Sequence, residues 1–129
     1  MKTIKKLSVL FALLLLGSGA FAQDCYLTIY DKSNTNGAYY DLTIELWNYT
    51  SPFNPVLLNT EYQSCYIISS GGSASVQLDY QVEPDIAKLK FHIYAENQST
   101  SQGAWGWSQQ TFDSYDYYYN HPPVTVTIP

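Results

Sequence analysis

The stretch YYDLTIELWNY, residues 39–49, alternates with a period of two between apolar side chains and a mixed set of polar and aromatic ones. Leu42, Ile44 and Leu46 fall on one face, and the other face carries Tyr39, Asp41, Thr43, Glu45, Trp47 and Tyr49. Successive side chains of a β-strand point to opposite sides of the sheet, so the stretch predicts a strand with one face in the core.

The same alternation recurs along the chain between turn residues such as Asn36-Gly37 and the two prolines of TSPFNP, residues 50–55. It marks CYLTIYD (25–31), TEYQSCYIIS (60–69), ASVQLDY (74–80), KLKFHIYAE (88–96), AWGWSQQTF (104–112) and VTVTIP (124–129). We find no convincing helical period. Seven or eight short strands, each with one apolar face to bury, predict an all-β fold, namely a small antiparallel β-sandwich. A small closed barrel is the alternative.

One segment resembles a known family. DIAKLKFHIYAEN, residues 85–97, resembles an immunoglobulin-like strand preceded by an Asp-x-Ala corner, with Leu89 at the position of the corner tyrosine and Phe91 at that of the second cysteine. The resemblance implies a sandwich of immunoglobulin-like or similar type, and it implies nothing about function.

The N-terminal segment has the composition of a secretory signal peptide. Lys2, Lys5 and Lys6 precede an apolar run of ten residues, and Ala20-Phe21-Ala22 forms a small-x-small cleavage pattern. The run is too short to span a membrane. We therefore predict a signal peptide over residues 1–22 and a single β-sandwich domain over residues 23–129, secreted to an extracellular or periplasmic location.

The charge of residues 23–129 narrows the range of partners. Only Lys32, Lys88 and Lys90 remain there against all eleven carboxylates of the chain, which gives a net charge of −8 with no arginine. Nucleic acids and anionic lipid surfaces are bound largely through Lys and Arg. We expect no nucleic-acid partner and no membrane insertion after signal cleavage.

Two cysteines, Cys25 and Cys65, remain after cleavage. In an oxidising compartment they predict a disulfide, which would add about 4 kcal/mol of stability for a loop of about 40 residues. Two unpaired buried thiols are the alternative. The two cysteines are too far apart in sequence, and lack the histidine pair, to predict a zinc site.

The residues that could carry catalysis are few. The only histidines are His92, on the outward face of a strand, and His121, before two prolines. No nucleophile elbow, zinc-protease helix or phosphate-binding glycine loop occurs. The sequence therefore predicts a protein that is not an enzyme. A small secreted hydrolase that pairs carboxylates from distant strands is the remaining catalytic alternative.

Acidic residues collect near the predicted strand ends, which raises the question of calcium. They are Asp31, Asp79, Glu83, Asp85, Asp113 and Asp116. DKSNTNG, residues 31–37, begins like a calcium-binding loop, but its glycine falls one position late and no glutamate closes it. We favour solvated loop acids, and we predict no cofactor and no metal.

Aromatic residues are unusually abundant, with 13 tyrosines and 3 tryptophans. Tyr and Trp offer flat apolar area with a polar edge, which suits sugars and protein surfaces. The predicted ligand-binding residues are Trp105, Trp107, Tyr115, Tyr117, Tyr118 and Tyr119. The alternatives are that the two tryptophans belong to the core, and that the tyrosine run in DSYDYYYNHPP (113–123) is a loop with two rings packed down.

These observations predict a non-enzymatic binding module for a polysaccharide or another extracellular surface. The alternative is a structural or adhesive subunit that assembles through protein–protein contacts. An exposed edge strand would favour assembly, and VTVTIP at 124–129 is the candidate. The sequence alone leaves the oligomeric state open.

Overall fold

The computed structural model describes residues 23–120 and 122–129, which form seven strands and one short helix. These elements are β1 (Gln23–Asp31), β2 (Ala38–Asn48), β3 (Val56–Ile67), β4 (Gly72–Leu78), β5 (Leu89–Asn97), β6 (Gly103–Trp107), α1 (Ser114–Tyr119) and β7 (Pro123–Ile128). The prediction of an all-β fold with seven or eight strands is confirmed. The predicted signal peptide lies outside the described residues.

The strands form two sheets. One has four strands in the order β3-β2-β5-β6, all antiparallel, and the other has three in the order β4-β1-β7. Within the second sheet β1 runs antiparallel to β4 but parallel to β7, from Tyr26 opposite Pro123 to Asp31 opposite Ile128. The prediction of a purely antiparallel arrangement is therefore wrong for β1 and β7. The segment containing α1 carries the chain from β6 of the four-stranded sheet to β7 of the three-stranded sheet.

The strand order also differs from that of an immunoglobulin domain. In that fold the first two strands share a sheet, whereas β1 and β2 belong to different sheets here. The resemblance over residues 85–97 therefore does not extend to the topology. Leu89, at the position of the corner tyrosine, begins β5 as a fully buried residue.

Both sheets contribute to a common hydrophobic core. The alternating pattern predicted most of its members, but it missed the fully buried Tyr40 of β2, and on β6 the buried position is Gly106. Leu42, Ile44 and Leu46 of β2 are almost fully buried, as are the alternate residues of the other strands: Cys25, Leu27, Ile29, Ile67, Val76, Leu78, Leu89, Phe91, Ile93, Ala95, Val124, Val126 and Ile128. Burying a side chain of this size contributes about 1.5–3 kcal/mol.

One margin of the two sheets is closed by the approach of β6 to β7. Ser108 forms an isolated bridge with Val124 just beyond β6. A Cβ atom on Gly106 would collide with the carbonyl oxygen of Thr125 and the side chain of Val126. Glycine at position 106 therefore permits the close contact between the two strands.

A buried polar network ties the end of β1 to β2 and β5. The carboxylate of Asp31 accepts hydrogen bonds from Tyr40 Oη (2.8 Å), Asn97 Nδ2 (2.9 Å) and both the backbone N (2.9 Å) and Oγ (2.6 Å) of Ser33. Burial alone would raise the pKa of Asp31, but the hydrogen bonds from Asn97, Ser33 and Tyr40 outweigh it and lower the pKa below its ordinary value. Burial and the bond to Asp31 raise the pKa of Tyr40 to about 12.

The predicted disulfide is absent, since Cys25 and Cys65 carry free thiols. Cys25 lies near the start of β1, whereas Cys65 pairs with Tyr40 near the end of β3. The Tyr40 hydroxyl reaches Asp31, which lies six residues beyond Cys25 on β1, or about 20 Å along the strand. A disulfide requires Cα atoms within about 7 Å. Both cysteines face inward, but at different levels of the sheets, and the disulfide prediction is wrong.

We expect both thiols to resist alkylation in the folded protein and both to react after unfolding without reductant. Burial raises the pKa of Cys25 to about 12 and that of Cys65 to about 11, so neither forms the reactive thiolate at neutral pH. Mass spectrometry after iodoacetamide treatment would check this, with two adducts expected in denaturant and none in buffer. A denatured sample that needs a reductant before it reacts would contradict the expectation.

Candidate functional site

The outward surface of the four-stranded sheet concentrates exposed aromatic side chains, and we call it the aromatic face. Its members alternate with the core residues of the same strands. They are Tyr39, Asp41, Thr43, Glu45 and Trp47 of β2, Thr60, Tyr62, Ser64 and Tyr66 of β3, Lys90, His92, Tyr94 and Glu96 of β5, and Trp105 and Trp107 of β6.

A stacked row of rings crosses β5 and β6. The imidazole of His92 lies between two indoles, with ring centroids 4.1 Å from Trp105 and 3.7 Å from Trp107 and interplanar angles of 18° and 15°. The antiparallel register produces this arrangement because it sets His92 directly opposite Trp107 and Tyr94 opposite Trp105. Trp105 and Trp107 are 48% and 40% exposed. The alternative that these tryptophans belong to the core is therefore wrong.

The outer ends of this row are also occupied. Tyr94 packs against Trp105 at 5.2 Å, and Tyr49 meets Trp107 edge-on at 5.9 Å. The Nζ atom of Lys90 lies 5.5 Å from the Trp107 ring centroid and 5.6 Å from that of Tyr49, in cation–π geometry. Other side chains therefore cover much of both faces of each indole. The two tryptophans present mainly their ring edges to solvent.

Glu45 orients the histidine from the neighbouring strand. Its Oε1 atom lies 2.9 Å from His92 Nδ1 and accepts a second hydrogen bond from Trp47 Nε1 at 3.1 Å. A carboxylate can only accept, so the proton lies on Nδ1 of His92. The contacts of the His92 ring within the described part of the chain are two indoles and this carboxylate. None of them is a hydroxyl or thiol that the histidine could activate as a nucleophile.

Polar side chains of β2 form the floor of the aromatic face. Asp41 accepts hydrogen bonds from Ser64 Oγ and Gln98 Nε2, both at 2.8 Å. The bond from Gln98, followed by the bond from Ser64, lowers the pKa of Asp41. Thr43 and Glu45 follow on the same side of the strand. We call Asp41, Thr43 and Glu45 the polar floor.

Aromatic rings surround this floor. Tyr62 of β3 is 78% exposed and pairs with Thr43, which pairs on its other side with Tyr94. Two strand spacings, about 10 Å, therefore separate Tyr62 from Tyr94, and the short Thr43 side chain lies between them. Tyr39 and Tyr66 form a tilted pair at 4.8 Å at one end of the floor. Trp47 lies at the other end, where its indole bonds to Glu45.

The tyrosine run lies on α1, away from the aromatic face. The interpretation of residues 113–123 as a loop is wrong for residues 114–119, because Asp113 caps a helical turn by accepting from the backbone N of Asp116 at 2.8 Å. Tyr117, one of the predicted ligand-binding residues, lies in the core: it is 1% exposed and its hydroxyl donates to the carbonyl oxygen of Tyr80 at 2.7 Å. Burial raises the pKa of Tyr117 well above its ordinary value.

Of the other three tyrosines of the run, one is half-buried and two are exposed. Tyr118 is half-buried and donates to the carbonyl oxygen of Val82 at 2.7 Å. Tyr115 and Tyr119 are exposed and pack on each other with ring centroids 4.6 Å apart. Together with Tyr118 they line a groove of about 370 Å³ beside Val82, Pro84 and Asp85. The predicted site residues therefore fall on two surfaces, and only Trp105 and Trp107 belong to the aromatic face.

Two of the acidic residues considered for calcium have structural roles. Asp31 is buried in its hydrogen-bond network, and Asp113 caps α1. Among the described residues, no three His, Cys, Asp or Glu side chains come close enough together to hold a metal ion.

The chain gives no significant match to a family model, to a curated protein or to a solved structure. In the parts of the chain that the structure describes, no helix is both long and apolar enough to cross a membrane. Any functional assignment must therefore rest on the geometry of the chain itself.

Proposed function

We propose that the protein is an exported, non-enzymatic module that binds a neutral polysaccharide through the aromatic face. A single observation carries this proposal, the polar floor of Asp41, Thr43 and Glu45 inside a border of exposed rings. The proposal includes a β-sandwich built from the two sheets, which their common core supports, and secretion directed by residues 1–22.

The chemistry of a sugar ring suits such a surface. A pyranose has apolar C–H faces that pack on aromatic rings and hydroxyl groups that donate to carboxylates and hydroxyls. Tyr62 and the pair of Tyr39 and Tyr66 supply exposed ring area. Asp41 and Glu45 supply acceptors that are already fixed by Ser64, Gln98, His92 and Trp47, so little side-chain entropy is lost on binding.

The charge of the face selects against acidic polymers. Asp41, Glu45 and Glu96 all lie on it, and its one lysine, Lys90, is engaged with Trp107 and Tyr49. An anionic ligand would meet like charges with no arginine available to neutralise them. We therefore propose a neutral polysaccharide in preference to a uronic acid or sulfated polymer.

We expect residues 23–129 to bind neutral oligosaccharides on a glycan array and to lose about tenfold or more in affinity in a Tyr62→Ala variant, because Tyr62 is the most exposed ring of the aromatic face. Tenfold corresponds to about 1.4 kcal/mol, a usual value for a central aromatic contact. Tyr119→Ala serves as the matched control, because Tyr119 is an exposed tyrosine outside the aromatic face. A folded, monodisperse sample that binds no neutral glycan, or that loses binding only with Tyr119→Ala, would contradict the proposal.

The assembly role is favoured by a different observation, the uncovered margin of β3. It does not compete with glycan binding, because it uses the main-chain edge of a strand and not the rings of the face.

A further inference from the structure

Strand β3 stands at a margin of the four-stranded sheet with a strand on one side only. It pairs with β2 from Val56 opposite Asn48 to Ile67 opposite Ala38, and no described strand pairs with its other side. With twelve residues it is the longest described strand. Glu61 is its only charged residue, and it contains no lysine, arginine or proline.

Such an edge is unusual because an unpaired row of N–H and C=O groups is a template for another strand. Proteins commonly protect edges with lysine, proline, a covering element or a bulge. Here the pairing with β2 is irregular only between Leu46 and Trp47, opposite the start of β3. The stretch from Asn59 to Ile67 has regular register, and its only charged residue, Glu61, is engaged within the same chain by the backbone N of Tyr80 and by Gln63 Nε2.

The other margins of the described sheets are covered. β6 and β7 approach each other through Gly106 and Thr125. Side chains of β3 cover the margin of β4, because Gln63 Nε2 donates to the carbonyl oxygen of Gln77 at 2.5 Å and Glu61 Oε1 accepts from the backbone N of Tyr80 at 3.1 Å. Residues 124–129, the expected edge, belong to β7, which is the margin strand of the three-stranded sheet and faces β6 there. That strand is paired with β1 on one side and lies against β6 on the other.

We propose that β3 pairs antiparallel with β3 of a second copy of this chain, with the two-fold axis at Tyr62. This register sets outward residues opposite outward residues, as an antiparallel pair requires. Thr60 then lies opposite Ser64 of the second copy, and Glu61 lies opposite Gln63. At the ends of the strand, Leu57 lies opposite Ile67.

The sequence of β3 is complementary to itself at several positions in this register. Gln63 already donates to Glu61 within one chain at 3.1 Å, so the same two groups suit each other across the axis. Hydroxyl meets hydroxyl at Thr60 and Ser64, and aliphatic meets aliphatic at Leu57 and Ile67; such cross-strand pairs are stabilising. The remaining pairs, Asn59 with Cys65 and Leu58 with Tyr66, are mixed. An axis at Glu61 would set two carboxylates opposite each other, which disfavours that register. These features select a second copy as the partner over an unrelated strand.

The pairing would join two four-stranded sheets into one of eight strands, with the two Tyr62 rings side by side at its centre. Each copy of residues 23–129 carries a net charge of −8, so the copies repel each other at long range. Salt screens this repulsion, and the association is therefore stronger at higher ionic strength.

Sedimentation equilibrium of residues 23–129 at several concentrations and salt levels tests the pairing. We expect a monomer–dimer equilibrium that shifts toward dimer with salt and a dissociation constant at least tenfold higher in Tyr62→Lys, which sets two lysines opposite each other. Tyr39→Lys is the matched control, since Tyr39 is an exposed tyrosine of the same sheet on an interior strand, and it should leave the equilibrium unchanged. A monomer at every concentration, or a dimer insensitive to Tyr62→Lys, would overturn the proposal.

Cross-linking fixes the register independently. In a Cys65→Ser background, Tyr62→Cys sets two cysteines directly opposite each other at the axis, where Cβ atoms are close enough for a disulfide. Cys25 is fully buried and does not compete. Oxidation should cross-link Tyr62→Cys and leave Tyr119→Cys monomeric in the same background. Efficient cross-linking of Tyr119→Cys with none at position 62 would mean that another surface associates and would refute the β3 pairing. Loss of glycan binding with the dimer intact would count only against the proposed function.

Discussion

Truncation of Tyr117 to alanine is expected to lower the free energy of unfolding by about 3–5 kcal/mol, the range for removing a large aromatic side chain from a core. Tyr117 is almost fully buried, packs 6.1 Å from the ring of Phe91 and donates to the carbonyl oxygen of Tyr80. Its loss leaves a cavity and an unsatisfied buried carbonyl. For a single domain, whose total stability is about 5–15 kcal/mol, this is a large fraction.

Urea denaturation followed by circular dichroism would measure the change. Tyr117→Phe separates the two causes, because it keeps the ring and removes only the hydroxyl, for an expected loss of about 1 kcal/mol. Tyr119→Ala, two residues away on the exposed side of α1, should stay within about 0.5 kcal/mol of the parent chain. Equal losses in Tyr117→Ala and Tyr119→Ala would show that Tyr117 is not a core residue.

The second large effect is expected from Asp31→Ala, which should cost about 3 kcal/mol. The substitution removes the acceptor for Tyr40, Asn97 and Ser33, and buried donors left without a partner cost about 1–3 kcal/mol each when water cannot reach them. Removing the exposed Asp41 with Asp41→Ala is the matched control. We expect a much smaller loss there, because water replaces the hydrogen bonds of Asp41.

The lowered pKa of Asp31 also gives the sign of a pH effect. In the unfolded chain Asp titrates near about pH 3.9, and in the folded protein it titrates lower. Between these two values the unfolded chain binds more protons, so stability falls as the pH falls. The contribution of Asp31 is fully present above about pH 5 and is lost as the pH falls through the folded pKa. We expect the free energy of unfolding of Asp31→Asn to fall less steeply with decreasing pH than that of the parent chain, as measured by urea titrations at successive pH values. An equally steep fall in both proteins would contradict the role of Asp31 in this pH dependence.

The sequence predicted the core well because alternation depends on local order alone. Leu42, Ile44 and Leu46 had to share a face whatever strand lay beside them. The parallel pairing of β1 with β7 depends on how the chain crosses between sheets, which no local pattern records. The error about Cys25 and Cys65 has the same cause, because the offset between their strands has no signal in the local sequence.

The candidate site was harder to predict because it is made by cross-strand register. Glu45 and His92 were each recognised as outward-facing, and nothing in their spacing showed that they would meet. The helix over the tyrosine run did have a local signal, since Asp113 precedes Asp116 by the three residues of a helix cap. The strand propensity of the four tyrosines concealed it.

The pairing of β1 with β7 has a consequence for how the molecule reaches its native state. It joins the first described strand to the last, so the contact spans about a hundred residues, and contacts of such separation slow folding. A chain that emerges N-terminus first cannot complete its three-stranded sheet until residues 123–128 are free. Until then β1 has only β4 beside it, and the core side of β6 lacks Val124, Val126 and Ile128. The last six-residue strand therefore acts as the closing step of folding, and the chain is most exposed to proteases and to aggregation just before that strand arrives.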